Sequence, residues 1–244
     1  MSNKQCVTLI TGAAQGNGAA IAAKIQSKTN IVILIDIAEP KFQVTDNLRL
    51  MLGSVSDKQF IENVFSTALE ISSNISLVNN AGITKPTNQF SNYESWMETL
   101  EINLTAPFYW LMKFTELVKE RKIESGSIVN ICSLAAHVSI PDNPAYVASK
   151  HGLLGLTKAY AEILGPFGIM VNSISPGYIH TNMTEKSFSD ENRNKYIANH
   201  TMLNKWGKPN DVAHAVEFLL DSSNEYITGI DLAVDGGWLA KGFC

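Results

Sequence analysis

The sequence contains little cysteine and no long apolar run. Its 244 residues include three cysteines, Cys6, Cys132 and Cys244, which are odd in number and lie far apart. That spacing suits neither a disulfide framework nor a metal site, so we expect no bound metal and a reducing cytoplasm. No apolar stretch approaches the roughly twenty residues that a membrane-spanning helix needs. The glycine-rich segment near residue 12 follows the first residue closely, so we expect no signal peptide.

Positive charge is also scarce. The chain has 19 Lys and Arg against 23 Asp and Glu, which gives a net charge of −4 at pH 7. Such a chain offers no basic field for nucleic acid or for an anionic membrane. We therefore expect a small-molecule substrate, with neither nucleic acid nor membrane as a partner. The hydrophobic content of 45% is ordinary for a globular protein, and the length suits one α/β domain with a sizeable core.

A glycine-rich turn separates two apolar runs near the N-terminus. Residues 6–10 and 31–35 have the continuous apolar character of buried parallel strands, and the sequence between the turn and the second run is Ala-rich and helical in pattern. The second run ends at Asp36. Strand, glycine turn, helix, strand and acidic residue follow one another as in the mononucleotide-binding half of a Rossmann sheet. We therefore expect a dinucleotide to bind here.

The residues of this segment each have a physical task in that interpretation. Gly12, Gly16 and Gly18 permit a tight turn and let backbone N–H groups approach a pyrophosphate at the positive end of the helix. Asp36 is placed to accept hydrogen bonds from an adenosine ribose, and its carboxylate would repel a 2′-phosphate. Neither Lys nor Arg occurs in the turn, or after Asp36 before Lys41. The sequence therefore predicts NAD as cofactor in preference to NADP.

Tyr146 and Lys150 form the second informative pair. They are four residues apart and therefore share one face of any helix that carries them. A free tyrosine has a pKa of about 10, which makes it a poor acid or base at neutral pH. A nearby cation favours the phenolate, so we expect Lys150 to lower the pKa of Tyr146 and make it a general acid or base. Ser133, at the end of an apolar run, could hold a carbonyl or alcohol oxygen beside the phenol.

The order and spacing of these motifs resemble those of the short-chain dehydrogenase/reductase family. The resemblance covers essentially the whole chain. Beyond the glycine turn, the matching positions are Asn79-Asn80-Ala81-Gly82, Asn103, Ser133, Tyr146 and Lys150, Pro176-Gly177 with Thr181, Ile227-Thr228-Gly229, and Val234-Asp235-Gly236-Gly237. The resemblance implies an α/β Rossmann fold over residues 1–244, with a doubly wound parallel sheet and helices on both faces.

The resemblance also implies an activity and the residues that carry it. It implies NAD-dependent interconversion of a secondary alcohol and a ketone, with Asn103, Ser133, Tyr146 and Lys150 as the catalytic group. Tyr146 would exchange the alcohol proton, Ser133 would orient the substrate oxygen, and Asn103 would join a water-mediated proton path to Lys150. The cofactor would contact Gly12, Gln15, Gly16, Asn17, Gly18, Asp36, Asn80, Ala81, Gly82, Tyr146, Lys150, Pro176, Gly177, Ile179 and Thr181.

Three departures from the family pattern bear on the cofactor groove. Asn17 stands where the family usually has an aliphatic residue. Ser54 stands where the family commonly has an Asp that touches the adenine. Residues 37–47 include Pro40 and have little helical period, so we expect the crossover helix between the second and third strands to be short or absent.

Helical patterns occur near residues 19–28, 57–72, 93–121, 146–165 and 209–222, and they alternate with apolar strands. In the family the helices that correspond to 93–121 and 146–165 pair between subunits, so the resemblance implies a homotetramer. Residues 182–205 interrupt the alternation and resemble by position the family's substrate-covering lid.

The substrate is left open by the sequence. Five residues flank the expected catalytic strand ends and favour a small hydroxylated substrate, such as a polyol, sugar, hydroxy acid or diol: His137, Asp142, Asn143, Tyr178 and His180. A 3-oxoacyl carrier-protein reductase is an alternative, against which Asp36 counts because that reaction normally uses NADPH. A non-catalytic dinucleotide sensor or scaffold is another, but it would predict loss of Ser133, Tyr146 or Lys150, and all three are present.

Overall fold

A single parallel sheet organises the computed structural model, which describes residues 5–27, 30–85 and 92–242. The strand order β3-β2-β1-β4-β5-β6-β7 reverses direction between β1 and β4, which is the switch point where open α/β sheets bind ligands. The seven strands are β1 (Cys6–Thr11), β2 (Asn30–Asp36), β3 (Leu48–Leu52), β4 (Ile75–Asn79), β5 (Ser127–Ile131), β6 (Met170–Pro176) and β7 (Asp231–Val234).

Helices cover both faces of this sheet. They are α1 (Gly16–Ile25), α2 (Lys58–Leu69), α3 (Tyr93–Leu100), α4 (Ala106–Lys119), α5 (Pro144–Leu164), α6 (Glu185–Ser189), α7 (Glu191–His200) and α8 (Pro209–Leu220). No described helix is both long and apolar enough to cross a bilayer. The predicted Rossmann fold, with a doubly wound parallel sheet, is confirmed.

The core lies in two layers because side chains along a strand alternate between the two faces. In β2, Ile31, Ile33 and Ile35 pack in the layer beneath α2, α4 and α5. Val32 and Leu34 of the same strand pack in the layer beneath α1 and α8. Burial on both faces explains why the strands read as continuous apolar runs.

Two of the predicted helices differ from the observed ones. The first was predicted at 19–28 but begins at Gly16, because the glycine turn itself forms the first helical turn. The helical stretch predicted at 93–121 consists of α3 and α4, separated by a π-helical turn at Glu101–Thr105. Residues 37–47 contain no helix, as predicted. Residue 28, where the first predicted helix ended, and Cys244 lie outside the described residues.

Polar side chains fix where two helices begin. The Asp57 carboxylate accepts hydrogen bonds from the backbone N–H groups of Gln59 and Phe60 at the start of α2. The Asn92 side chain does the same for Glu94 and Ser95 at the start of α3. Each cap satisfies donors that would otherwise lack a partner in the first helical turn.

Candidate active site

The glycine turn lies between β1 and α1 at the switch point of the sheet. Gly12 has φ +65° and Gly16 has φ +57°, in the left-handed region where a side chain is strained. A Cβ atom at Gly12 would lie 2.8 Å from the Cα of Ala81, and one at Gly18 would overlap the carbonyl oxygen of Gly12. Only glycine therefore allows the backbone to pack this closely and leave the N-terminus of α1 uncovered for a phosphate.

Asn80 ties the glycine turn to the end of β4. Its Nδ2 donates to the carbonyl oxygens of Thr11 and Gly12, both at 2.9 Å. The Thr11 hydroxyl in turn accepts from the backbone N–H groups of Asn80 and Ala81, each at 3.0 Å. These four bonds join segments almost seventy residues apart in sequence. The sequence analysis did not predict that Thr11 would hold the end of β4. The position of its hydroxyl at the end of β1 could have indicated this.

Asp36 lies against the turn at the carboxyl end of β2. Its carboxylate accepts hydrogen bonds from the backbone N–H of Ala14 at 2.9 Å and from that of Ala38 at 3.1 Å. The side chain is therefore held in place next to the glycine turn, as a ribose-binding residue requires. Ser54 follows β3, and its hydroxyl lies 2.9 Å from that of Ser56. This pair replaces the acidic group expected near the adenine with neutral hydroxyls.

Residues after β6 close over the other side of the turn. A Cβ at Gly16 would lie 3.6 Å from Cγ2 of Thr181, and the Asn182 side chain donates to Oε1 of Gln15 at 2.6 Å. The Oδ1 atom of Asn17 is buried and has no hydrogen-bond partner within the described residues. The turn therefore offers an unused acceptor at the position where the sequence departs from the family pattern.

Pro176 and Gly177 carry the chain from β6 past the end of β7. The Gly177 N–H donates to the carbonyl oxygen of Val234 at 2.9 Å, and a Cβ at Gly177 would lie 2.7 Å from the Cα of Asp235. The side chain of Ile179 is buried in the layer beneath α8. Ile179 can therefore meet a cofactor through its backbone alone.

Ser133, Tyr146 and Lys150 come together beyond the end of β5. Ser133 begins a short 3₁₀ turn, and its hydroxyl accepts from the backbone N–H of Ala135 at 3.2 Å. The Ser133 and Tyr146 side chains are also joined by a hydrogen bond. Lys150 lies on the same face of α5 as Tyr146, with Nζ 5.7 Å from the centre of the phenol ring. The sequence-predicted trio is therefore assembled.

The direction of the Tyr146 pKa differs from the prediction. Burial of the phenol raises its pKa, and the hydrogen bond with Ser133 opposes this rise without cancelling it. The Nζ of Lys150 donates instead to the carbonyl oxygen of Ile131 at 2.8 Å. The prediction that Lys150 lowers the pKa of Tyr146 is therefore wrong for this arrangement, because loss of hydration outweighs the favourable contacts.

Lys150 is itself perturbed by its surroundings. Its side chain is almost fully buried, and burial lowers its pKa to about 8. At neutral pH the amine of Lys150 therefore remains charged in most molecules. Burial raises the pKa of the neighbouring Cys132 to about 12, so that thiol stays protonated and is no nucleophile.

Asn103 ties the helix that carries Lys150 to the loop after β4. Its Oδ1 accepts from the backbone N–H of Ile83 at 2.8 Å, and its Nδ2 donates to the Ile83 carbonyl at 2.9 Å and to the Ser149 hydroxyl at 3.2 Å. A Cβ at Gly82 would lie 3.3 Å from Asn103 Oδ1 and 3.7 Å from Lys150 Nζ. Asn103 lies in the π-helical turn, a local distortion that is frequent at functional sites.

A cavity of about 580 Å³ lies next to this group. It is lined by residues between 134 and 141, by Asp190 and residues of α7, and by Tyr178 and Trp238. The charge of Tyr178 contributes to the raised pKa of Tyr146, so the two phenols are close. The cavity therefore opens beside the group that would exchange a proton.

Of the five residues predicted to flank the substrate, only Tyr178 is among those that line this cavity. His137 lies 2.7 Å from the Asp231 carboxylate, and His180 lies 2.8 Å from that of Glu185. The Asn143 side chain donates to the Thr84 hydroxyl at 2.6 Å. Asp142 is likewise not a lining residue. Arg193 and Tyr196 also line the cavity and lie in the segment 182–205 that was predicted as the lid. Sequence reasoning missed Trp238, since nothing in its local pattern marks it as lining a cavity.

The described residues contain no cluster of three or more His, Cys, Asp or Glu side chains that could hold a metal ion. The glycine turn and Asp36 are suited to a dinucleotide, because the backbone there is open where a side chain would intrude.

Comparison with known proteins gives matches over nearly the full chain. A family model described as enoyl-(acyl carrier protein) reductase matches residues 12–239. The chain is 35% identical over 238 residues to a 3-oxoacyl-[acyl-carrier-protein] reductase from Rickettsia conorii, covering 95% of this chain and 96% of that protein. It is 33% identical over 251 residues to 2-dehydro-3-deoxy-D-gluconate 5-dehydrogenase from Bacillus subtilis, covering 98% and 97%.

Solved structures with the same fold carry nicotinamide cofactors. The chain is 34% identical to 4-hydroxyisoleucine dehydrogenase complexed with NADH, with a TM-score of 0.89 over 98% of this chain and 100% of that one. It is 33% identical to a protein described as a 2-deoxy-D-gluconate 3-dehydrogenase from Agrobacterium tumefaciens with bound NADP, with a TM-score of 0.85 over 98% of each chain.

Proposed function

Because this chain belongs to the short-chain dehydrogenase/reductase family of oxidoreductases, we propose that it is an NAD-dependent dehydrogenase. Its reaction would interconvert a secondary alcohol and a ketone on a small hydroxylated substrate. The observation that carries this proposal is the meeting of Ser133, Tyr146 and Lys150 beside the cavity.

The proposed cofactor is NAD, held across the carboxyl ends of the strands. The N-terminus of α1 at Gly16 to Gly18 would hold the pyrophosphate, and Asp36 would accept hydrogen bonds from the adenosine ribose. Asp36 and the lack of a basic residue in the turn support NAD over NADP. When bound, the nicotinamide supplies the hydride acceptor or donor for the reaction.

Tyr146 is proposed as the residue that exchanges the alcohol proton. Its raised pKa keeps the phenol protonated at neutral pH, which suits proton donation during ketone reduction. In alcohol oxidation the phenol must first lose its proton, and the Ser133 hydrogen bond favours that loss. Ser133 would also hold the substrate oxygen, and Asn103 would position Lys150 through the loop at Gly82.

The segment 182–205, which contains α6 and α7, is proposed as the lid of the cavity. Asp190 and several residues of α7 line the cavity on the side that faces residues 134–141. Closure of this segment would exclude water from the reacting carbon and oxygen. The hydrogen bond between Asn182 and Gln15 anchors the start of the lid to the cofactor site.

Among the open substrate classes, hydroxy acids have the most support. Relatives with this fold are named for 2-dehydro-3-deoxy-D-gluconate and 4-hydroxyisoleucine, both of which carry a carboxylate. A second candidate is the reduction of a 3-oxoacyl carrier protein, because the Rickettsia conorii relative is named for that reaction. Asp36 counts against the second candidate, since its charge disfavours NADPH. The assembled catalytic trio counts against a non-catalytic sensor.

The test is NADH formation from NAD with a panel of hydroxy acids, polyols, aldoses and diols, with Tyr146→Phe measured in parallel. Turnover of one class that the variant loses would support the proposal. Reduction of a 3-oxoacyl thioester by NADPH, with no NAD-dependent oxidation, would overturn it in favour of the second candidate.

A homotetramer in the cytoplasm is the proposed assembly and setting. Its support is the exposure of apolar side chains on the helices that pair between subunits in the family, with Phe108 and Met112 on α4 and Ile163 on α5. Light scattering coupled to size exclusion would give the mass of four chains, and a monomer mass would overturn the assembly.

A further inference from the structure

The lining of the cavity is largely apolar. Leu134, Val138 and Ile140 lie on one side, and Tyr196, Ile197 and Trp238 lie on the other. A sugar or polyol placed here would find Ser139, Asn192 and the phenols of Tyr178 and Tyr196 as neutral hydrogen-bond partners, and each further hydroxyl set against carbon would lose its hydration uncompensated. An aliphatic chain would be accommodated without that cost.

Two charged side chains interrupt this apolar lining, and both come from the start of α7. They are Asp190 and Arg193. The Asp190 carboxylate caps the helix by accepting the backbone N–H of Arg193 at 2.9 Å. The salt bridges found among the described residues include none for the Arg193 guanidinium. Arg193 is therefore a solvent-exposed cation at the cavity with no salt bridge to another described residue.

We propose that the substrate is an aliphatic hydroxy acid whose carboxylate pairs with Arg193, an inference that rests on the proposed dehydrogenase function. Guanidinium and carboxylate groups match in geometry and form charge-assisted hydrogen bonds. The carbinol would lie at the other end of the cavity, where Tyr178 approaches Tyr146.

The oxidation leaves the carboxylate unchanged. The carbinol C–H bond breaks and its electron pair leaves as hydride to NAD, the O–H proton passes to Tyr146, and a C=O bond forms. Arg193 therefore acts on specificity, not on the chemical step, so its removal should change KM more than kcat.

The experiment compares three hydroxy acids with their N-methylamides: 3-hydroxybutanoate, 4-hydroxypentanoate and 5-hydroxyhexanoate. The amides keep the carbinol and the chain but lack the charge. We expect at least one acid to exceed its amide about tenfold in kcat/KM. Arg193→Gln should raise KM for that acid about tenfold while leaving KM for the amide unchanged.

Lys195→Gln is the matched control, because Lys195 is an exposed cation of the same helix that does not line the cavity. It should leave the acid preference intact. The KM for the acid should also rise with added salt in the unmodified protein and in the control, but not in Arg193→Gln. Thermal unfolding of both variants would check that the fold is retained.

Several outcomes would overturn the inference. One is an equal kcat/KM for the acids and their amides. Another is an equal rise in KM for the acid in Arg193→Gln and in Lys195→Gln. Oxidation of polyols but of none of the hydroxy acids would reject Arg193 as a carboxylate site while the dehydrogenase function stands. Absence of any NAD-dependent oxidation, with Tyr146→Phe indistinguishable from the unmodified protein, would reject the proposed function and this inference with it.

Discussion

The ammonium of Lys150 lies 5.7 Å from the centre of the Tyr146 ring, on the same face of α5. The amine is almost fully buried and donates a hydrogen bond to the carbonyl oxygen of Ile131. A charge held in this way beside the phenol costs stability, and that cost has a measurable dependence on pH.

Lys150→Met should change how stability depends on pH. Burial lowers the pKa of Lys150 from 10.5 to about 8. Below pH 8 Lys150 is protonated in both the folded and the unfolded chain, so the full cost of burying its charge is present. Between these two values the unfolded chain binds more protons, so stability rises with pH. Across that range we expect the free energy of unfolding of the unmodified protein to rise by about 3 kcal/mol relative to that of Lys150→Met, which has no amine to titrate. Denaturant unfolding at several pH values measures the difference, and parallel curves would contradict it.

Tyr146→Phe should remove the proton exchange and leave the cofactor site intact. We expect the turnover rate to fall by about 10²–10⁴-fold with little change in NADH affinity. Steady-state kinetics and a fluorescence titration with NADH measure the two quantities. Tyr226→Phe is the control, because Tyr226 is fully exposed and should tolerate the change. A variant that retains normal turnover would show that another group exchanges the proton.

Ser133→Ala should move the pH profile of alcohol oxidation to higher pH. The Ser133 hydrogen bond lowers the pKa of Tyr146, so its loss leaves only the upward effect of burial and neighbouring charges. The phenolate would then form at higher pH, and the rising limb of kcat/KM would shift the same way. Ser66→Ala, on the exposed side of α2, supplies the control. An unshifted profile would exclude this coupling.

Gly12→Ala should damage both the fold and NAD binding. The added Cβ would lie 2.8 Å from the Cα of Ala81 at a φ of +65°. Gly168 has φ +73° but nothing within 4 Å of an added Cβ, so Gly168→Ala carries the backbone strain alone. We expect a loss of about 1–2 kcal/mol for Gly168→Ala and a larger one for Gly12→Ala. Equal losses in denaturant unfolding would show that the contact with Ala81 is unimportant.

Asp36→Asn should weaken discrimination against NADP. The amide keeps the size of the side chain but removes the charge that would repel a 2′-phosphate. We expect the ratio of kcat/KM for NADP to that for NAD to rise about tenfold. Asp46→Asn, an exposed acid in the connection after β2, should leave the ratio unchanged. A ratio that stays constant in Asp36→Asn would place cofactor choice elsewhere.

Much of the fold was predictable because its signals are local. Buried parallel strands are apolar on both faces, so β1 and β2 are visible as runs before the turn and before Asp36. The assembly of Ser133 with Tyr146 could be predicted from the family pattern, and the structure brings the two side chains together.

What the sequence could not supply depends on contacts between distant segments. Asn80 reaches Thr11 across 69 residues, and Asn182 reaches Gln15 across 167, with no local pattern to mark either contact. The raised pKa of Tyr146 depends on how much water the surrounding fold excludes. The π-helical turn at Asn103 was also missed, because α3 and α4 continue one apolar pattern through it.

The cavity is lined by residues 134–141 and by α7, which take no part in the hydrogen bonds described around the glycine turn. Asn80 and Thr11 hold that turn together, and the contact of the lid with it is made by Asn182, before α7 begins. Substitutions in α7 can therefore accumulate without disturbing the glycine turn proposed to bind the dinucleotide. We therefore expect α7 to be the part of this fold in which substrate specificity can vary while the residues proposed to bind the cofactor stay the same.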